Sequence, residues 1–535
     1  MPALARACLQ LAAFALLPLA LYFALFHPAT LDPGNVAWLI YGTDNGQNAL
    51  GFHAWLAEPH KGWWPATTLL NAPDGVSMLF TDANPLLALI VAPLAPWLPH
   101  DFQLVGPWIL ACLMLHSLFA WALLRDHAPS PIALWLGVAM FLLLPTLANR
   151  FVHANLTAHW LILWGLWLFL DARRAGDLRW WAALMFVAAM VHNYLLLMVA
   201  AIWASAMLER FAASDGRART RLAAGSLAIL GAVTAIALLH GAGERFEITR
   251  SYGAFAMSLD ALWNPANPDY SAFLPATPQR QGRGMEGFQY LGAGLMPLLA
   301  AAAAIRFARR DPSSDLVRLA WLAPALAVLT ALALTPSLDF AGQPVARLGY
   351  PEWAARALDT VRASGRLFWP VAYVLVLLAV RMAYRLSAER AALLLGACAA
   401  IQIADLSGMF AAIRRESIGA ADGRTYRRTP SSDWQAAIAR ARYVTFVPAD
   451  ANRDLPLFQE IAWRATGAGV PVRLTYAART GTATAQRLAR EDTDFAAGRL
   501  EPDRLYILLP GTQVPAAARA RLTQIDGVRV LLPLR

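Results

Sequence analysis

Apolar runs long enough to cross a hydrocarbon core of roughly 30 Å recur from Ala7 to Met409, and they dictate what this chain can fold into. They fall near 7–26, 104–124, 132–149, 157–171, 179–191, 194–208, 222–240, 291–306, 319–336, 367–384 and 391–409. With 58% hydrophobic and 15% charged residues, the composition agrees with that reading. Beyond Met409 the character changes: Ala411 to Arg535 is arginine-rich, mixed in charge, and without a run long enough to span. The expected fold class is an all-α polytopic membrane domain of about 11 transmembrane helices over residues 1–410, then a small α/β domain over 411–535.

The formal charge of +10 does not point to nucleic acid, because the placeable excess lies in short loops between apolar runs, where positive charge sets topology. Cys8, Cys112 and Cys398 sit inside apolar runs and offer neither a disulfide framework nor metal-ligand spacing. The first run has only Arg6 before it and no small-x-small cleavage site after it, so it reads as a retained anchor.

Pro85 to Leu98, interrupted by Pro93 and Pro96, is short for a span and suits a re-entrant or interfacial segment. Leaving it uncounted, and reading 179–208 as two short passes with His192 to Tyr194 at the tip, puts four arginine loops on the cytoplasmic side. These hold Arg173/Arg174/Arg179, Arg210/Arg217/Arg219/Arg221, Arg306/Arg309/Arg310/Arg318 and Arg381/Arg385/Arg390. The N-terminus is then cytoplasmic in a bacterial inner membrane, and the C-terminal domain is extracytoplasmic. Three long segments, 27–103, 241–290 and 337–366, face outward and are the natural home of function. In the C-terminal piece, Tyr443 to Val447, Val472 to Tyr476, Leu505 to Leu509 and Val528 to Leu532 read as strands of a mostly parallel sheet. Helical patterns near 454–467, 483–498 and 515–524 lie between them, and no glycine-rich nucleotide loop is present.

The first outer segment is the most informative. It carries Tyr41-Gly42-Thr43-Asp44-Asn45-Gly46-Gln47-Asn48, then Gly51-Phe52-His53-Ala54-Trp55, then Thr81-Asp82-Ala83-Asn84-Pro85, with no lysine or arginine between Asp44 and Lys61. Asp44 or Asp82 could act as a general base, help hold a divalent cation, or simply cap a helix. Further candidates sit at expected outer ends of spans: Arg150, His153 and His159; His192 and Tyr194; Glu286 and Tyr290; and Arg362 with Arg366. The last pair is four residues apart, so a helical turn would put both guanidiniums on one face, a fork suited to lipid phosphate. For the histidines, the bland alternative is a hydrogen-bonded structural role between helices, since metal-ligand spacing is missing.

On these residues the chain resembles a bacterial polytopic membrane-protein family of uncharacterised function related to the C-type (GT-C) glycosyltransferase superfamily. The resemblance rests on the Asp44 loop with Gly51 to Trp55, on Thr81 to Leu89, on Arg150 to Trp160, on Glu286 to Gly292 and on Arg362 to Pro370. It implies a polyprenyl-phosphate-linked sugar as donor, a cell-envelope glycan or lipid as acceptor, and inverting transfer on the extracytoplasmic face. It also implies Asp44 as base or metal contact, Asp82 as a second acid, and Arg362 and Arg366 on the donor phosphate. His53, Arg150, His153, His159, His192, Tyr194, Glu286 and Tyr290 are then substrate-binding candidates, and the divalent cation such as Mg or Mn stays open. Where several characterised GT-C groups have a His-Pro-Pro-Leu run, this chain has Ala83-Asn84-Pro85-Leu86, so the donor class is not fixed. The rival readings are a lipid-linked glycan transporter or flippase and a non-catalytic envelope-assembly protein.

Overall fold

The computed structural model describes residues 3–59, 62, 64–246, 249–309, 314–477 and 479–534; Lys61 and Arg310 lie outside the described residues. The protein is mostly helical, and each apolar run becomes a helix or a broken pair of helices. Among the described residues four helices are long and apolar enough to cross a membrane: Val105–Leu124, Asn193–Ala213, Gly216–Leu239 and Ser364–Ala383. A fifth is added if Ala388–Asp405 and Ser407–Ala420, bent by 51°, form one span. These make the chain a membrane protein, but they correct the expectation of about 11 spans.

Part of the shortfall comes from a break that a hydropathy window does not register. Pro145 lacks an amide hydrogen and pushes Leu144 to extended geometry, which divides the run 132–149 into Pro131–Leu142 and Pro145–Ala148. The run 179–208 divides at His192, as expected, its extended backbone separating Leu178–Val191 from Asn193–Ala213, two helices packed on one another. The first of these has 14 residues, about 21 Å at the α-helical rise of 1.5 Å. Pro85–Val91 and the 3-10 turn Ala92–Trp97 are shorter still and leave Ile90, Leu94 and Trp97 exposed.

Val105–Leu124 packs against the first helix, Pro131–Leu142 and Trp160–Leu170, and Leu295–Arg309 packs against Trp369–Ala383. Over this bundle sits a C-terminal α/β layer with strand order Tyr443–Val447, Arg504–Leu508, Val528–Leu531, Leu522–Ile525. Only the first pair is parallel; the other two pairings are antiparallel, so the sheet is mixed rather than mostly parallel. The reason is the dipeptide Asp526-Gly527, both with positive φ, which closes a two-residue hairpin between Ile525 and Val528. That hairpin makes Leu522–Ile525 a strand, preceded by the 3-10 turn Ala516–Arg521, where a helix was expected over 515–524. Val472 to Tyr476 forms no strand beyond a single bridge from Val472 to Val444.

The layer is fastened to the first long loop. Its helix Leu455–Gly467 packs on the helix Asp44–Ala57. There the Trp463 ring stacks on His53 at 4.0 Å between centroids and donates its indole N–H to Asp101 Oδ1 at 2.8 Å. Val472 N–H donates to the Leu69 carbonyl, and Ala72 N–H donates to the Val472 carbonyl.

Candidate functional site

The loop helix starts at Asp44, but Asp44 does not cap it. Thr43 is the N-cap, its Oγ1 accepting the Gly46 amide at 3.1 Å. Gln459, from the C-terminal layer, holds this turn from above: Oε1 accepts the Gly42 amide and Nε2 donates to the Thr43 carbonyl, both at 2.8 Å. The approach requires glycine at 46, because a Cβ there would lie 2.3 Å from the Leu39 carbonyl and 2.5 Å from Gln459 Oε1. From below, Asn45 donates to the Phe151 carbonyl and accepts the Ala154 amide, which ties the turn to the segment bearing His153. The Asp44 carboxylate is left to face Tyr476, whose hydroxyl donates to Oδ1 at 3.4 Å, and His153, whose Nε2 is 3.5 Å from Oδ2.

Asp82 is not an N-cap either; Asn84 caps Pro85–Val91 by accepting the Leu87 amide. Asp82 ends a 3-10 turn in the left-handed conformation, φ 57°, which is uncommon outside glycine and asparagine. Its carbonyl is held there by two side-chain amides, Asn48 and Asn155. The result aims its carboxylate toward His153 Nε2, 3.9 Å away. Burial pushes the Asp82 carboxyl above the ordinary range; His153 opposes that shift and the Asp44 carboxylate adds to it. Burial, then the charge of Asp44, pushes the Tyr476 phenol up to about 12, so it stays a proton donor to Asp44.

Basic groups gather around Glu286. Glu286 Oε2 accepts from Arg150 Nη1 at 2.8 Å and from Arg366 Nε at 2.6 Å, a buried triad joining three segments distant in sequence. Gly287 and Gly365 allow the approach: a Cβ on Gly365 would lie 2.6 Å from the Gly287 Cα. Burial alone would raise the Glu286 carboxyl, but Arg366 and Arg150 together hold it well below the usual range. The Arg366 guanidinium also lies 5.0 Å over the Tyr194 ring, and the Tyr194 hydroxyl accepts the Ala363 amide at 2.8 Å. Arg362 and Arg366 do not share a helical turn, since Arg362 precedes the 3-10 segment Ser364–Phe368 that carries Arg366. Arg362 lies 5.9 Å over the Phe255 ring and forms no ion pair among the described residues. Arg479 donates to the Asp359 carbonyl at 2.6 Å, and its charge helps hold the Asp359 carboxyl below the ordinary range.

All these groups meet in one cavity of about 260 Å³. Asp44, Asp82, His153, His192, Tyr194, Glu286, Arg362 and Arg366 line it, together with Phe80, Phe255, Tyr476 and Arg479. Four other sequence candidates lie elsewhere. Arg150 stands behind Glu286; His53 stacks under Trp463; His159 is buried with Nδ1 2.7 Å from the Tyr373 hydroxyl; and the Tyr290 hydroxyl donates to buried Asp405 at 2.7 Å. The histidine pattern alone did not separate the lining His153 and His192 from the packed His53 and His159. Tyr476 and Arg479 carried no sequence signal, and Asn48 and Asn155 had only their places in quoted motifs.

Among the described residues no group of three His, Cys, Asp or Glu side chains is arranged to ligate a metal ion. A divalent cation would find Asp44 and Asp82 here, and hard cations of this kind complete their shell with phosphate and water oxygens.

The chain belongs to the family described as Domain of unknown function (DUF6311), whose model matches residues 15–407; the DUF6311 C-terminal domain matches residues 433–533. No curated protein matches it in sequence. Among solved structures it is similar to the crystal structure of the Archaeoglobus fulgidus oligosaccharyltransferase complex with Zn and sulfate, at 14% identity and a TM-score of 0.27. That comparison covers 93% of this chain and 67% of the other, a likeness too weak to carry an argument.

Proposed function

We propose that the protein is an inverting glycosyltransferase of GT-C type, moving a sugar from a polyprenyl-phosphate-linked donor to a cell-envelope glycan or lipid on the extracytoplasmic face. The observation that carries this is the mixed charge of the cavity, which Asp44 and Asp82 line together with Arg362, Arg366 and Arg479. In the reaction, a carboxylate takes the proton of the acceptor hydroxyl as its oxygen attacks the anomeric carbon. The bond from that carbon to the phosphate oxygen breaks, and the charge on the leaving lipid phosphate falls to the arginines. Arg362 is the first of these, because Arg366 is already neutralised in part by Glu286. A divalent cation held by Asp44 and Asp82 would add charge neutralisation on the phosphate.

Asp44→Asn tests the reading. Thr43 caps the helix, so the change spares the fold while removing the proton acceptor. The expected result is full expression, intact binding of the lipid-linked donor, and at least roughly a hundredfold loss of transfer. Transfer within a few-fold of the parent would remove Asp44 from the mechanism. Truncation after Met409 does not discriminate an enzyme from an assembly partner, because the C-terminal layer itself supplies Tyr476, Arg479 and the Gln459 clamp.

A further inference from the structure

Beside the charged cavity lies a larger cleft, about 710 Å³, that the reaction above does not use. Phe80 and Tyr476 line both spaces, so the two share a wall. One side of the cleft comes from the first long loop, another from the end of Gly216–Leu239 with His240, and the rest from the C-terminal layer. The two spaces differ in charged lining. The described residues lining the cleft include Glu58, Asp74, Glu244 and Asp450 but no arginine or lysine, although Arg487 pairs with Asp74 and Arg453 lies 3.8 Å from Asp450. The neighbouring cavity is lined by Arg362, Arg366 and Arg479 as well as Asp44, Asp82 and Glu286, so it is the one that offers cations to a phosphate.

The lining is also short of hydrogen-bond partners in a specific way. The Trp64 indole N–H lies 3.3 Å from His240 Nδ1. The Ser77 hydroxyl also lies 2.7 Å from Nδ1, so both polar neighbours of the ring are on its Nδ1 side. Nε2 is buried and has no partner among the described residues, and neither has the Thr475 hydroxyl. Two unpaired polar groups, a half-buried tryptophan, and acceptor carboxylates with no arginine or lysine among the described lining residues are chemistry that recognises hydroxyl-rich, uncharged or amino-bearing ligands.

We propose that this cleft binds the acceptor as a neutral or amino-bearing oligosaccharide, with its reacting hydroxyl directed past Tyr476 toward Asp44. The word acceptor rests on the glycosyltransferase reading; the binding of such a glycan does not. The test uses the full-length protein in lipid nanodiscs and three probes: a neutral glucan hexamer, a glucosamine hexamer and a galacturonic acid hexamer. The first two bind, and the acidic hexamer binds at least about tenfold more weakly, a difference easily read in affinity. Thr480→Trp, on an exposed stretch of the rim, fills the cleft and lowers neutral-hexamer affinity at least about tenfold without changing binding of the lipid-linked donor. Preference for the acidic hexamer, unchanged binding in Thr480→Trp, or no binding by any probe overturns the proposal. Neutral-hexamer binding that is lost in Thr480→Trp, with no transfer from any lipid-linked sugar, upholds the glycan cleft and sinks the transferase reading.

Discussion

Glu286→Gln is the perturbation whose size follows most directly from the geometry. One carboxylate oxygen serves two guanidiniums, and the three side chains are 13%, 2% and 8% exposed for Glu286, Arg150 and Arg366. A hydrogen bond to a charged group contributes about 1.5–3 kcal/mol and a neutral one about 0.5–1.5 kcal/mol, so two bonds weakened from one class to the other cost about 2–3 kcal/mol. Stranding a buried cation adds to this, and breaking a buried pair by removing one partner costs about 3–5 kcal/mol in all. Glutamine keeps the volume and an acceptor oxygen, so the low end, about 3 kcal/mol, is expected. Denaturant unfolding in one detergent, followed through the tryptophans, measures it. Because the Glu286 carboxyl is held below its unfolded value, its contribution is fully present above about pH 4.3 and is lost as pH falls below that toward the folded value. The Gln variant should therefore lack that acid-side loss. Arg150→Met combined with Glu286→Gln should cost less than the sum of the two single changes, since the stranded charge is then removed. A Glu286→Gln protein as stable as the parent, or strict additivity in the double variant, would falsify the picture of a coupled triad.

Three further outcomes follow from the same geometry. Asp82→Asn should stabilise the protein at neutral pH while lowering transfer: burial holds the Asp82 carboxyl above its unfolded value, so its charge destabilises the fold increasingly as pH rises above about 3.9, and unfolding curves at pH 7 should record the gain. Arg362→Gln should weaken polyprenyl-phosphate binding with unchanged unfolding, whereas Arg366→Gln should lower both, because only Arg366 belongs to the buried triad; Lys at either position restores binding in part, as the bidentate fork is lost. Reporter fusions at His100 and at the C-terminus should report the same side of the membrane, since His100 Nε2 lies 3.3 Å from the Gly467 carbonyl of the docked layer, and both are expected to be extracytoplasmic.

What was legible in the sequence was residue character, and what was not was partnership. Helix at each apolar run could be read from composition, but the span count could not. The break at His192 was legible, but hydropathy averages over Pro145, where the backbone also leaves the helix. The hairpin at Asp526-Gly527 was readable, since that dipeptide is a strong two-residue turn signal, yet the alternation of Val528 to Leu532 drew attention away from it. Asp44, Asp82, His153, His192, Tyr194, Glu286, Arg362 and Arg366 could be singled out because polar groups at the ends of apolar runs stand out. That they share one cavity depends on contacts over more than 300 positions of chain, which no local pattern encodes. Tyr476 and Arg479 escaped notice for the opposite reason: in an arginine-rich soluble stretch, one more arginine and one more tyrosine are unremarked.

The two acids make the sharper argument. Sequence alone left them open as caps, which would explain their presence without any chemistry. The structure assigns capping to Thr43 and Asn84, so neither Asp44 nor Asp82 is an N-cap. Asp82 moreover sits in a left-handed conformation that costs on the order of 1 kcal/mol or more, with a carboxyl that burial disfavours as an anion. Asn48 and Asn155 hold its carbonyl in place, and the Gln459 clamp from the far end of the chain fixes the turn before Asp44. Local rules are thus broken at one carboxylate and bypassed at the other, while three asparagine or glutamine side chains keep both where they are. Strain held by surrounding structure, in a cavity that Arg362 also lines, is what the proposed role of the two acids rests on.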